Sequence, residues 1–202
     1  RNVAIGNSAL GVQNNTSDVD SYNVAIGYNA GFATTTGIRN TIIGSQAGDA
    51  LTTGSYNVAI GFDALTTEDA HGRNIAIGYR SLKVQDAGAD AYNVAVGYDS
   101  GLSITTGTLN TIVGGLAGDA LTTGAQNTAI GHEALSTEDT GARNTAIGEG
   151  SLKTLNFDGN GYNVAVGYNS GHLISTGVQN TLIGSLAGDA LTEGGNNVAL
   201  GH

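Results

Sequence analysis

Asn23-Val24-Ala25-Ile26-Gly27 returns seventeen residues later as Asn40-Thr41-Ile42-Ile43-Gly44, and again as Asn57-Val58-Ala59-Ile60-Gly61. The same five-residue pattern starts at Asn2, Asn74, Asn93, Asn110, Asn127, Asn144, Asn163, Asn180 and Asn197, giving twelve copies in 202 residues. Successive copies lie 17 residues apart, except for a step of 21 after Asn2 and steps of 19 after Asn74 and Asn144. Four copies make a larger unit, because Asn23, Asn93 and Asn163 are 70 residues apart. The chain therefore reads as one repeat domain, residues 1–202, with blocks at 23–92, 93–162 and 163–202 after a partial coil at 1–22. Self-similarity at a fixed short period is the mark of an array of stacked units.

A helical array needs an apolar stripe at 3.6-residue spacing and a unit of about 33 residues or more. Here Gly breaks every coil, which no helix tolerates well. Seventeen residues suit short strands joined by tight turns. The spacing predicts a first strand over each Asn-Val-Ala-Ile-Gly segment and a second over segments such as Ala50-Leu51-Thr52-Thr53. Period two places the second and fourth residues on one face. These pairs, such as Val58 and Ile60 or Thr128 and Ile130, are expected to point into the core. The third residue, Ala in nine copies and Ile42, Ile112 or Leu182 in the others, is then expected to face outward against another chain. Gly in fifth place fits a positive φ or a close backbone approach. The residue three places on is Ala or Ser, as at Ala30, Ala47, Ser81 and Ser151, which suggests a site with no spare room.

Stacking puts each position above its own copy. The expected fold class is all-β, a parallel β-solenoid of about twelve coils of 17–21 residues. The leading asparagines then form a ladder: Asn23, Asn40, Asn57, Asn74, Asn93, Asn110, Asn127, Asn144, Asn163 and Asn180. Each amide is expected to donate to the next coil and accept from the previous one, satisfying itself inside the stack. Total absence of Pro fits a backbone in which every N–H is needed.

Asn23-Val24-Ala25-Ile26-Gly27-Tyr28-Asn29-Ala30 and its copies resemble the head repeat of trimeric autotransporter adhesins of the YadA type. The resemblance runs over all twelve coils, although the Ser which that family carries between Asn and Val is absent here. It implies a left-handed parallel β-roll, three chains side by side, at a cell surface, binding matrix or other cells. Similar Asn-Thr-Ala-Ile-Gly arrays also resemble those of phage tail fibres. The expectation is thus an extracellular structural and adhesive fibre section, a homotrimer, at a cell surface or on a virion. Its partner would be a surface or carbohydrate receptor. A tail-fibre spacer or receptor-binding section is the first alternative, and an ice-binding β-solenoid, which would need Thr on successive coils, is another. The first and last copies fall mid-coil, so the chain is expected to be a section of a longer fibre continuing end to end.

Composition removes other classes. The net charge is −10 with only 12% charged residues, which argues against nucleic acid and anionic membrane surfaces. No apolar run is long enough to insert in a membrane, and no leader opens the chain. Without Cys there are no disulfides and no thiolate ligands. No enzyme is expected. A hydrolase or lyase needs convergent nucleophile, base or basic groups, and none is visible. His132 and His202 are one block apart, and the corresponding earlier residue is Phe62, so this is read as a packing or surface position. A His132–Glu149 pair in neighbouring coils is expected at most. Glu68-Asp69 and Glu138-Asp139 are read as solvated turn charges rather than paired catalytic acids. Asp49, Asp119 and Asp189 are expected to bond turn amides. Tyrosines before the Asn (Tyr22, Tyr56, Tyr92, Tyr162) and after the Gly (Tyr28, Tyr79, Tyr98, Tyr168) are expected to stack along the rod, or on sugars.

The three long coils carry the remaining candidates. Thr16, Asp18 and Asp20, then Asp86, Gly88 and Asp90, then Asn156, Asp158 and Asn160 occupy equivalent places. Oxygens at alternate positions before Gly161 match the first half of a calcium loop, but the twelfth position from Asn156 is Gly167, not Glu. No cofactor is otherwise expected. The same loops are also read as Asx turns or as receptor contacts.

Overall fold

The computed structural model describes residues 1–14 and 20–201. Each Asn-led segment opens a three-residue strand. The strands are β1 (Val3–Ile5), β2 (Val24–Ile26), β3 (Thr41–Ile43), β4 (Val58–Ile60), β5 (Ile75–Ile77), β6 (Val94–Val96), β7 (Thr111–Val113), β8 (Thr128–Ile130), β9 (Thr145–Ile147), β10 (Val164–Val166), β11 (Thr181–Ile183) and β12 (Val198–Leu200). They form one parallel sheet in chain order, with like positions paired, as Val24 with Thr41 and Ala25 with Ile42. The fold is a parallel β-solenoid with no helix among the described residues.

The predicted second strand is absent. Ala50–Thr53 is turn and bend. Its neighbour coil shows why: Thr35 N and Gly37 N both donate to Thr52 O, at 2.9 and 3.2 Å. Two donors converging on one carbonyl describe a corner, not an extended ladder. Each coil is thus a single strand followed by a chain of tight turns. Many turn residues are left-handed, including the residue before the Asn in each coil, such as Tyr56 at φ 62° and Arg73 at φ 63°.

The inward face is opposite to the one expected. Ala25, Ile42, Ala59, Ala76, Ala95, Ile112, Ala129, Ala146, Ala165 and Leu182, the middle strand residues, are fully buried. The flanking Val, Thr and Ile residues point outward and are half-buried or exposed. The asparagines set this parity, since a buried Asn places the residue two further on at the same face. The small core is filled by complementary sizes. The coil of Ala59 also buries Leu65, and that of Ala129 also buries Leu135. Where the middle residue is large, the matching position is Gly: a Cβ on Gly118 would lie 2.9 Å from Leu121 and 3.1 Å from Ile112. The same place is also Gly in the coils of Ala25 and Ala165, where a Cβ on Gly31 or Gly171 would lie 2.8 Å from Ile42 or Leu182 of the following coil.

Gly at the strand end combines both features expected of it. Gly27 sits at φ 136°, and a Cβ there would collide with the carbonyl of Gly44 in the next coil. Its Ala or Ser successor is buried, as at Ala47 and Ser151. The serine hydroxyls are satisfied by strand carbonyls one coil on, as Ser81 to Ala95 O and Ser151 to Ala165 O, both 3.0 Å.

Candidate functional site

The asparagine column runs unbroken through the rod. Each backbone N–H donates to the side-chain oxygen of the Asn one coil earlier, from Asn23 on Asn2 to Asn197 on Asn180, at 2.8–3.2 Å. The side-chain nitrogen donates to a carbonyl late in its own coil, as Asn23 to Gly37 O at 2.7 Å and Asn110 to Gly124 O at 2.9 Å. The polarity is therefore reversed from the expected one: Oδ1 accepts from the following coil. Three members depart, all at the start of long coils, and the first of them, Asn2, donates to the Gln13 side chain at 3.1 Å. Asn74 Nδ2 is buried without a partner, and Asn144 Nδ2 reaches only Ala142 O at 3.3 Å. The extra residues have moved the usual acceptor away.

Outside this ladder lie two surfaces. The first is the strand face, where no strand carries a charged residue. Beside it Phe62, Tyr79 and Tyr98 stack in consecutive coils, with centroids 5.6 and 5.2 Å apart. Arg80 lies over Tyr79 and holds the buried Asp99 by two bonds of 2.9 and 2.6 Å, which raises the guanidinium above its ordinary pKa. The second is the column before the Asn, where tyrosines alternate with arginine from Arg1 to Tyr92 and again at Arg143 and Tyr162. Arg73 lies over both Tyr56 and Tyr92, Arg39 over Tyr56, and Arg143 over Tyr162. Each arginine also donates to the next phenol, as Arg39 to Tyr56 at 2.7 Å and Arg143 to Tyr162 at 2.8 Å. Positions 39, 73 and 143 share a place with Tyr22, Tyr56, Tyr92 and Tyr162, so the alternation is visible in the sequence.

Of the calcium candidates, Asp18 with Thr16 lies outside the described residues, as does His202. Asp20 pairs with Arg1 and accepts from the Tyr22 hydroxyl. Asp90 is engaged by Gly72 N and by an ion pair with Arg73. Asp158 accepts from the Thr140 hydroxyl, and Asn160 forms a backbone bridge with Ala142. The carboxylates of Asp90 and Asp158 are thus each engaged by groups of the preceding coil. Asp86 lies beside Glu68, Asp69 and His71. His132 pairs with Glu133, at 3.9 Å, which in turn holds Lys153. Burial raises Asp49 and Asp119 above the usual carboxylate range, against the opposing bonds of their turn amides.

Glu68 and Glu138 are not solvated turn charges: both are fully buried. Burial raises each above the ordinary glutamate pKa. Glu138 is capped by three backbone amides, Gly141 N at 2.7 Å, Asp139 N at 3.1 Å and Phe157 N at 3.1 Å. Glu68 accepts only from His71 N, at 3.0 Å, and its Oε2 has no hydrogen-bond partner. The sequence signal was a Glu held in register 70 residues apart inside loops with few other charges. Comparison with protein families, with curated proteins and with solved structures finds no match to the chain.

Proposed function

We propose that this chain is a section of an extracellular structural and adhesive fibre in which three copies lie side by side, packed through their strand faces. The observation that supports this reading is the outward strand face itself. Its Val, Thr and Ile columns continue over all twelve coils without a charge, and Ile75 and Ile183 remain 37% and 44% exposed. An uncharged apolar strip of this length is of the kind that marks interaction sites. The exposed tyrosines beside it are suited to stack against a sugar or a partner surface.

The test is the mass of the folded particle, by sedimentation or light scattering, against the 20.2 kDa of one chain. Three chains per particle are expected. Val96→Lys, on the outward face of a central coil, should shift the particle to monomer while leaving a cooperative melt. A monomeric wild-type chain overturns the reading.

A second reading is favoured by one detail. Thr111, Thr128 and Thr145 are outward on three successive coils, β7 to β9, a regular array of the kind an ice-binding face needs. Thermal hysteresis in the monomeric Val96→Lys variant checks it, and its absence removes it.

A further inference from the structure

The loop that closes the β4 coil and the long coil after β5 bring four ligand-bearing side chains together. Glu68, Asp69, His71 and Asp86 each offer one atom, and all four atoms lie within 4.8 Å of one another. Glu68 is fully buried, and its Oε2 has no hydrogen-bond donor. His71 Nδ1 is buried and equally unpartnered, 3.6 Å from Glu68 Oε1. That gap is too long for a hydrogen bond. It is close to the separation of two ligands on one tetrahedral ion, roughly 3.4 Å for bonds of about 2.1 Å. Glu68 Oε1 and His71 Nδ1 thus stand at the spacing of two ligands on one cation, with Glu68 Oε2 buried and unpartnered.

We propose that Glu68, His71 and Asp86, with Asp69 as fourth ligand, form a binding site for a divalent transition metal, with zinc the best fit. The imidazole selects this class over calcium, which takes oxygen ligands. Glu68 and His71 form the fixed half of the site. Asp69 and Asp86 are exposed and close the remaining distance by side-chain rotation. The bound ion links two successive coils, because Asp86 comes from the long coil and the other three from the coil before it. Asp90 already pins that insertion over the loop, through Gly72 N and Arg73. One block later the site is missing: His71 is replaced by Gly141 and Asp86 by Asn156.

The test titrates zinc chloride into the chelator-stripped full chain by calorimetry, with melting followed in parallel. One zinc per chain and a raised melting temperature are expected. His71→Ala should weaken binding by more than the about 10–100-fold that follows loss of a supporting partner. Glu68→Gln should do the same. If His71→Ala fails to melt cooperatively without metal, Glu68→Gln decides the matter. His132→Ala, at an exposed histidine beside Glu133, should bind as wild type does. The proposal is overturned if wild type shows neither heat nor a melting shift at millimolar zinc. It is equally overturned if the His71 and Glu68 variants bind unchanged, if His132→Ala abolishes binding, or if calcium chloride binds as tightly as zinc.

Discussion

The loops around Glu68 and Glu138 began from one design and now differ in how each handles a buried carboxylate. Both glutamates occupy the same place, 70 residues apart, and both are fully out of water. Glu138 is surrounded by backbone N–H groups. Phe157, packed against the core, holds its own amide over the second carboxylate oxygen. The corresponding residue beside Glu68 is Ala87, too small to anchor the loop in that way, and Glu68 Oε2 is left bare. Gly141 lets the chain pass directly against the Glu138 carboxylate, whereas His71 presents an imidazole in that position. One loop is thus closed by its own backbone, and the other has a charge-bearing gap. Three changes separate the two loops: Gly141 for His71, Asn156 for Asp86 and Phe157 for Ala87.

The largest expected effect tests that contrast directly. Glu138→Ala strands three amide donors in a dry loop and should destabilise the chain by on the order of 3 kcal/mol in urea titration. Glu68→Ala, measured with chelator present, removes one such bond and relieves a carboxylate lacking partners, so it should cost less than about 1 kcal/mol. Equal losses at the two sites would break the comparison.

Gly141→Ala comes next. A Cβ at this position falls inside contact distance of the whole Glu138 carboxylate. Three amides hold that carboxylate, so it cannot swing away freely. Gly141→Ala should therefore cost about 1–3 kcal/mol as overpacking. In a Glu138→Ala background the same change should cost little, because its collision partner is gone, giving a coupling that a double-mutant cycle reads. Additive costs would mean that the glycine is required for some other reason.

The repeat made the architecture legible: strand positions, coil length, the asparagine column and the glycines were all written at fixed intervals. The facing of the strand is opposite to the expected one, and the asparagines carry the reason. An asparagine satisfied inside the stack fixes the parity, and Ala25 or Ala59 two residues later must then point inward with it. Hydrophobicity alone favours the larger residues of the Val-Ala-Ile pattern for the core. In so narrow a coil the sheet side of the core has room only for alanine, unless a glycine such as Gly118 opens space for Ile112. The second strand failed for a related reason. Leu51 and Thr52 have strand-like composition, but the turn needed to bring the next Asn back into its column leaves no extended run. The buried glutamates were least legible. Glu68-Asp69 is charged and sits in a turn, and nothing local distinguishes a solvated pair from one folded under a longer neighbouring coil.

The smallest effect concerns pH and isolates the closed loop. Burial raises Glu138 above its unfolded value near 4.5, although bonds from Gly141 and Phe157 amides oppose the shift. For an acid with a raised folded pKa, the native state holds its proton more tightly than the unfolded chain does. Its contribution to stability is therefore fully present below the unfolded pKa and is lost as pH rises through the folded one. Wild type should gain on Glu138→Gln as pH falls from neutral toward about 4.5, since the glutamine variant has no proton to take up there. Other carboxylates titrate in both proteins and cancel in the difference. One of them, Glu133, is lowered by its bond to Lys153 and works in the opposite direction, so the raw curve of wild type alone would mislead. Urea titrations of the two proteins at intervals across that range give the slope. A difference that shrinks on acidification would mean that the three amides outweigh desolvation, and that the loop around Glu138 is built to keep the charged form.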